Sequence, residues 1–133
     1  MELEMELEAA LKNHLKSDAA LKKIHKGNVC GGIAPETWKA PYQTFFFISD
    51  PPENRRLGTP APRIQINNFA PTYDQARLMA KLTREALDGF FGVMGGTGGV
   101  KVVTGLYQDI TDLYEPDTKL YNCPVDVKIR YRS

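Results

Sequence analysis

Cys123-Pro124-Val125-Asp126-Val127-Lys128-Ile129-Arg130-Tyr131-Arg132 alternates apolar and polar side chains along its length. A strand with that pattern buries one face and turns the other to water, so it needs a second layer over its covered side. The rest of the chain supplies candidates for both layers. Arg63 to Ala70 alternates in the same way, with Ile64, Ile66 and Asn68 on one side and Arg63, Gln65, Asn67 and Phe69 on the other. Tyr42 to Ser49 is aromatic and β-prone, with Phe45 and Phe47 on one face and Phe46 and Ile48 on the opposite one, which predicts a central strand covered on both sides. Val100 to Gln108 reads as a fourth strand. Asp109 to Asn122, with Glu115-Pro116-Asp117-Thr118 in its middle, reads as a turn-rich connection.

The covering layer is helical. Leu3, Leu7, Leu11 and Leu15 recur every four residues with Ala10 and His14 beside them, which draws one apolar stripe on a helix. Glutamates at positions 2, 4, 6 and 8 lie at its start and Lys12 and Lys16 at its end, the polarity a helix dipole favours. Ser17 or Asp18 can cap a short second helix carrying Leu21 and Ile24, with Gly27 as its stop. Thr72-Tyr73-Asp74-Gln75 fits a capping box. It opens a third helix whose buried face holds Ala76, Met79, Ala80, Thr83, Ala86, Leu87 and Phe90, ended by Gly89. The order helix, helix, strand, strand, helix, strand, strand predicts an α+β fold: a mostly antiparallel sheet of about four strands with helices packed on one face, in a single domain over 1–133. Asn28 to Pro41 is an irregular crossing with a short extended part at Val29 to Ile33. Two mobile loops are expected, at 50–62, where prolines 51, 52, 60 and 62 forbid regular pairing, and at 92–99, where five of eight residues are glycine.

Seventeen basic and sixteen acidic residues leave a net charge of +1, which removes the broad field of a general nucleic-acid or polybasic membrane binder. No apolar run reaches the roughly 18 to 20 residues a membrane-spanning helix needs, and the acidic start is unlike a secretory signal, so a soluble protein made in the cytoplasm is expected. Cys30 and Cys123 are too few for a disulfide scaffold, although the sequence leaves one bridge open.

No constellation for chemistry emerges. The segment Gly92-Val93-Met94-Gly95-Gly96-Thr97-Gly98-Gly99-Val100-Lys101 invites a phosphate-loop reading, but Val100 separates glycine from lysine, and the segment leaves a helix to enter a strand. His14, His25, Cys30 and Cys123 lack the spacing of a zinc site; His14 is expected to border the core face of its helix and His25 to lie at an exposed helix end. The expectation is therefore no catalytic residue, no metal and no cofactor. Lys128, Arg130 and Arg132 share one strand face, with Arg63 beside them on another strand, and form a local basic stripe or a solvated outer face. Arg55 and Arg56 lie on the proline loop, and Tyr107, Tyr114 and Tyr121 are further interface candidates. Two other functions compete: a small nucleotide- or phosphate-ligand-binding domain built on the glycine segment, and a nucleic-acid-binding module stacking bases on Phe45, Phe47 and Tyr107.

Three stretches together resemble the tail completion, or head-to-tail joining, family of long-tailed bacteriophages and prophages. They are the Leu-rich first helix with Ser17-Asp18-Ala19-Ala20-Leu21; Pro71-Thr72-Tyr73-Asp74-Gln75-Ala76 leading to Ala86-Leu87-Asp88-Gly89; and Asp112-Leu113-Tyr114-Glu115-Pro116-Asp117-Thr118-Lys119-Leu120-Tyr121 before the basic last strand. The likeness spans nearly the whole chain. It implies a non-enzymatic virion protein, assembled in the bacterial host cytoplasm as a ring between the head connector and the tail tube, with DNA passage but no specific nucleic-acid binding. A ring repeats one heterologous contact around a closed axis and needs two different complementary patches. Arg55, Arg56, Gly95, Gly96, Gly98, Gly99, Lys128, Arg130 and Arg132 are the candidate assembly residues, the two loops ordering as contacts form.

Overall fold

The computed structural model describes residues 3–49, 60–96 and 98–132. Helix α1 spans Leu3–Ser17, and its Leu7, Leu11 and Leu15 are fully buried, each such side chain contributing about 1.5 to 3 kcal/mol of transfer free energy. Helix α2, Ala19–His25, begins where the Asp18 carboxylate accepts a hydrogen bond from the Leu21 amide at 3.1 Å. It ends through two successive left-handed residues, Lys26 (φ 53°) and Gly27 (φ 88°), so Gly27 shares the stop with a lysine. Helix α3, Tyr73–Leu87, is capped by Thr72, whose Oγ1 accepts from the Gln75 amide at 3.2 Å. It buries Ala76, Met79, Ala80, Thr83 and Leu87.

The strands are β1 (Val29–Gly31), β2 (Tyr42–Ser49), β3 (Arg63–Ala70), β4 (Gly92–Met94), β5 (Val100–Ile110), β6 (Leu113–Glu115), β7 (Leu120–Asn122) and β8 (Val125–Tyr131). They form one eight-stranded sheet in the order β1-β2-β3-β8-β5-β4, with the β6–β7 hairpin attached to β3 through β7. The sheet is thus larger than the expected four strands. The four additional strands, β1, β4, β6 and β7, are three residues long each, too short to show a period. Pairing is antiparallel except between β1 and β2. Helix α1 touches β1 and β4, the two ends of the strand order, as well as β5, so the sheet curls around it. Helix α3 lies against β3, β5, β7 and β8.

Strand β8 keeps the predicted alternation: Val125, Val127, Ile129 and Tyr131 are buried and the intervening residues are half-buried. Strand β2 departs from prediction. Strand β1 covers only Gln43 to Phe45, so the strand's far half is an edge. Phe45 is buried, but Phe46 and Ile48 are 46% and 47% exposed. At the end of the 50–62 segment, Pro60, Ala61 and Pro62 are buried, and the carbonyls of Pro60 and Pro62 accept hydrogen bonds from Tyr131 and Ile129; this end of the loop is fixed to β8.

A buried polar network ties β2, β3, β7 and α3 together. Gln43 Nε2 donates to Asn68 Oδ1 at 2.6 Å and to Thr83 Oγ1 at 2.9 Å, while Asn68 Nδ2 donates to the Cys123 carbonyl at 2.9 Å. The Asn68 amide donates to Asn122 Oδ1 at 3.0 Å, and Asn122 Nδ2 to Asn67 Oδ1 at 3.2 Å. Paired this way, most polar groups at the junction of helix and sheet avoid the desolvation penalty of an unmade bond, Gln43 Oε1 being buried without a partner.

Candidate assembly surfaces

The outer face of β2 and β3 carries a hollow of about 270 Å³. Its floor is Tyr42, Thr44, Asn67 and Phe69, and its walls are Ile33, Phe46 and Glu115. Ile33 projects from the loop after β1 at 89% exposure. Further along the same sheet face the basic stripe is interrupted: Asp126 holds Arg63 in an ion pair at 2.8 Å, and Arg63 is the register partner of Lys128. Lys128 and Arg130 are half-buried and Arg132 is exposed. Arg55 and Arg56 lie outside the described residues.

A second surface lies at the β4 end. Phe91 is 80% exposed and Val93 54%, and together with Lys101, Val103 and Arg132 they line a hollow of about 310 Å³. The two hollows lie on different strand pairs, β2/β3 and β4/β5, with β8 between them in the sheet order.

The glycine segment is partly strand, because Gly92, Val93 and Met94 pair with Val102, Lys101 and Val100. Gly95 is pinned: its φ is +91°, and a Cβ built on it would stand 2.7 Å from Ala10 Cα of α1. A Cβ on Gly99 would run into the Met94 carbonyl, whereas around Gly96 and Gly98 there is open space. The segment therefore turns from β4 to β5 against α1 and opens no helix, which is the setting a dinucleotide or Walker loop requires. The base-stacking reading meets a different obstacle. Phe45 is buried, Phe47 packs on the core, and the Tyr107 ring is covered by the Arg84 guanidinium at 4.3 Å, so none presents a free face to a base.

Two of the recognisable sequence stretches converge on Asp112. Its carboxylate accepts from Tyr73 Oη and Arg77 Nη1, both at 3.2 Å, and from Cys123 Sγ at 3.4 Å. Desolvation pushes the Asp112 pKa upward, but the hydrogen bonds from Cys123 and Arg77 outweigh it and hold it below the ordinary value. Tyr121 meets Tyr73 edge-on at 5.9 Å and the tilted Tyr114 ring at 4.8 Å, so these aromatics fasten the β6–β7 hairpin to α3, leaving Tyr114 half exposed. Cys123 itself is buried, and its thiol is pushed up to about 11 by desolvation and the neighbouring carboxylate, the opposite of an activated nucleophile. Cys30 and Cys123 are both free.

His25 corrects its expected place. It is buried rather than exposed, its Nε2 lies 3.1 Å from the Leu15 carbonyl and its Nδ1 accepts from the Gly27 amide at 2.9 Å, so it buckles α1 to α2. His14 stands edge-on to Phe90 with Nε2 3.0 Å from the Ala86 carbonyl, joining α1 to the end of α3. Among the described residues no group of three or more His, Cys, Asp or Glu is placed to hold a metal.

Comparison with known proteins decides the family. The sequence profile of the family described as tail completion protein gp17 matches residues 9–132. The chain belongs to the tail completion protein gp17 family. It is a phage structural protein of the head–tail junction. Among solved structures, a chain in the virion of a native gene transfer agent particle has the same fold, with a TM-score of 0.75 at 16% identity over 96% of this chain and 95% of that one. No curated protein matches. The exposed apolar residues of these two surfaces, Ile33, Phe46, Phe91 and Val93, are ones that a reading by residue type passes over in favour of arginines and glycines. By sequence, Phe46 is expected to be covered, Ile33 ends an extended crossing and Val93 falls in the glycine loop, so neither surface is singled out.

Proposed function

We propose that this tail completion protein closes into a ring between the head connector and the tail tube in the bacterial host cytoplasm, and joins the two without catalysing a reaction. The observation that carries the reading is the pair of dissimilar surfaces: a mixed polar and apolar hollow with Thr44, Asn67 and Glu115 beside Ile33 and Phe46, and a mainly apolar one beside Phe91 and Val93. A closed ring needs two such patches, one for each neighbour. Arg55, Arg56, Gly96, Gly98 and the Lys128 and Arg130 part of the basic stripe serve as contacts to connector or tube, and the ring's lumen lets DNA pass without reading it.

The test is a joining assay. Connector-bearing heads and free tails, made in cells lacking this protein, are mixed with and without it and scored by electron microscopy and infectivity. Joined particles are expected only in its presence; equal joining in its absence overturns the proposal. Excision of residues 50–59, keeping Pro60 to Pro62 in place beneath β8, is expected to leave the monomer folded and to abolish joining.

A further inference from the structure

We propose that the contact between neighbouring copies seats Phe91 and Val93 of one chain in the hollow walled by Ile33, Phe46 and Glu115 of the next, with Lys101 and Arg132 facing Glu115. This rests on the ring reading and names the two faces that build it. Phe91 and Ile33 have the highest exposures among the large exposed hydrophobic residues described, 80% and 89%. Each lines its own hollow, and in the β2/β3 hollow Ile33, Phe46, Tyr42 and Phe69 give the Phe91 ring of a neighbour apolar contact beside the polar Thr44 and Asn67. A large ring that fills a pocket and is shielded from water there is the usual anchor of a protein contact.

Charge fixes which face meets which. The charged residue in the described lining of the β2/β3 hollow is Glu115, and those in the lining of the β4/β5 hollow are Lys101 and Arg132. A two-fold contact of β4 edges would set Lys101 and Arg132 against their own copies, and like charges in contact are repelled. A head-to-tail contact sets them against a carboxylate. Head-to-tail is also the arrangement that closes a ring. The tilted Tyr42 ring on the floor of the hollow lies 6.2 Å from Trp38, the single tryptophan, so filling the hollow changes the surroundings of an intrinsic fluorophore.

The experiment measures ring formation of the full chain by sedimentation velocity and electron microscopy, alone and on tail ends, for the natural sequence and for Phe91→Ser, Glu115→Lys, Arg132→Glu and the Glu115→Lys/Arg132→Glu pair. Circular dichroism checks that each variant keeps its fold. Phe91→Ser is expected to weaken self-association by about thirtyfold or more, the scale of a hot-spot residue, and to abolish the change in Trp38 emission on assembly. Each charge reversal is expected to weaken it, and the pair to recover most of the loss. If the natural sequence closes rings and all four variants close them equally well, the contact is wrong and the ring reading stands. If the natural sequence closes none, alone or on tails, the ring reading fails and this contact with it.

Discussion

Substituting Gly95 by alanine tests how the turn between β4 and β5 depends on α1. Two costs add. At φ +91° an L-residue is disfavoured by about 1 to 2 kcal/mol. The new methyl would also stand 2.7 Å from Ala10 Cα and 2.9 Å from Ala10 Cβ, and forcing an extra carbon into a packed site costs about 1 to 3 kcal/mol. The loss of chain freedom in the unfolded state offsets about 0.4 to 1 kcal/mol. Gly96 is the matched control, since its φ is +82° and nothing lies within 4 Å of a built Cβ. Gly96→Ala therefore carries the backbone and unfolded-state contributions but not the clash. Urea unfolding followed by far-ultraviolet circular dichroism should place Gly95→Ala about 1 to 3 kcal/mol below Gly96→Ala, with m unchanged. Equal midpoints for the two variants would refute the close packing of this turn on α1.

Asn68→Ala removes one of the two acceptors of Gln43 Nε2 and the donor to the Cys123 carbonyl; with each buried bond left unmade costing about 1 to 3 kcal/mol, a loss of about 2 to 4 kcal/mol is expected in the same assay. His25 predicts acid sensitivity. Burial lowers its pKa below the ordinary 6.5, against the raising effect of the Leu15 carbonyl and of Asp18, so below that pH the unfolded chain binds the proton more readily than the folded one. Its contribution is whole above pH 6.5 and is lost as the pH falls toward the lowered folded value, at up to about 1.4 kcal/mol per pH unit; His25→Asn should flatten stability against pH in that window, and an unchanged slope would contradict the buried neutral ring. The two thiols should separate kinetically: at pH 8 iodoacetamide should label the half-buried Cys30 in the folded protein and reach Cys123 only on unfolding, and equal labelling rates would count against the Asp112 cluster.

The layered fold was legible wherever a period persisted for two turns or four alternations. Leu7, Leu11 and Leu15 of α1, the Ile64 and Ile66 face and the Val125 to Tyr131 run all lie where their spacing puts them. Three-residue strands carry no period, and that is why the β6–β7 hairpin read as a turn and β4 as loop. Polar burial was invisible for a different reason: His25, Asn68 and Gln43 are buried because specific partners across the fold satisfy them, and partners distant in sequence leave no local mark. The candidate surface suffered most, since Phe46 looks like core but lies on the outer sheet face beside Thr44, Asn67 and Phe69, where it stays 46% exposed. Gly95 and Gly99 fall in what reads as a mobile loop, whereas close packing against Ala10 and the Met94 carbonyl leaves no room for a side chain at either.

Localisation within assembled particles tests the central claim most directly. A cryo-electron microscopy reconstruction of the head–tail junction should show this chain as a closed ring of identical copies between connector and tail tube, with the β4 edge of each copy against the Ile33 side of the next. Its density elsewhere, along the tube or at the distal tip, or its absence from mature particles, would contradict the account.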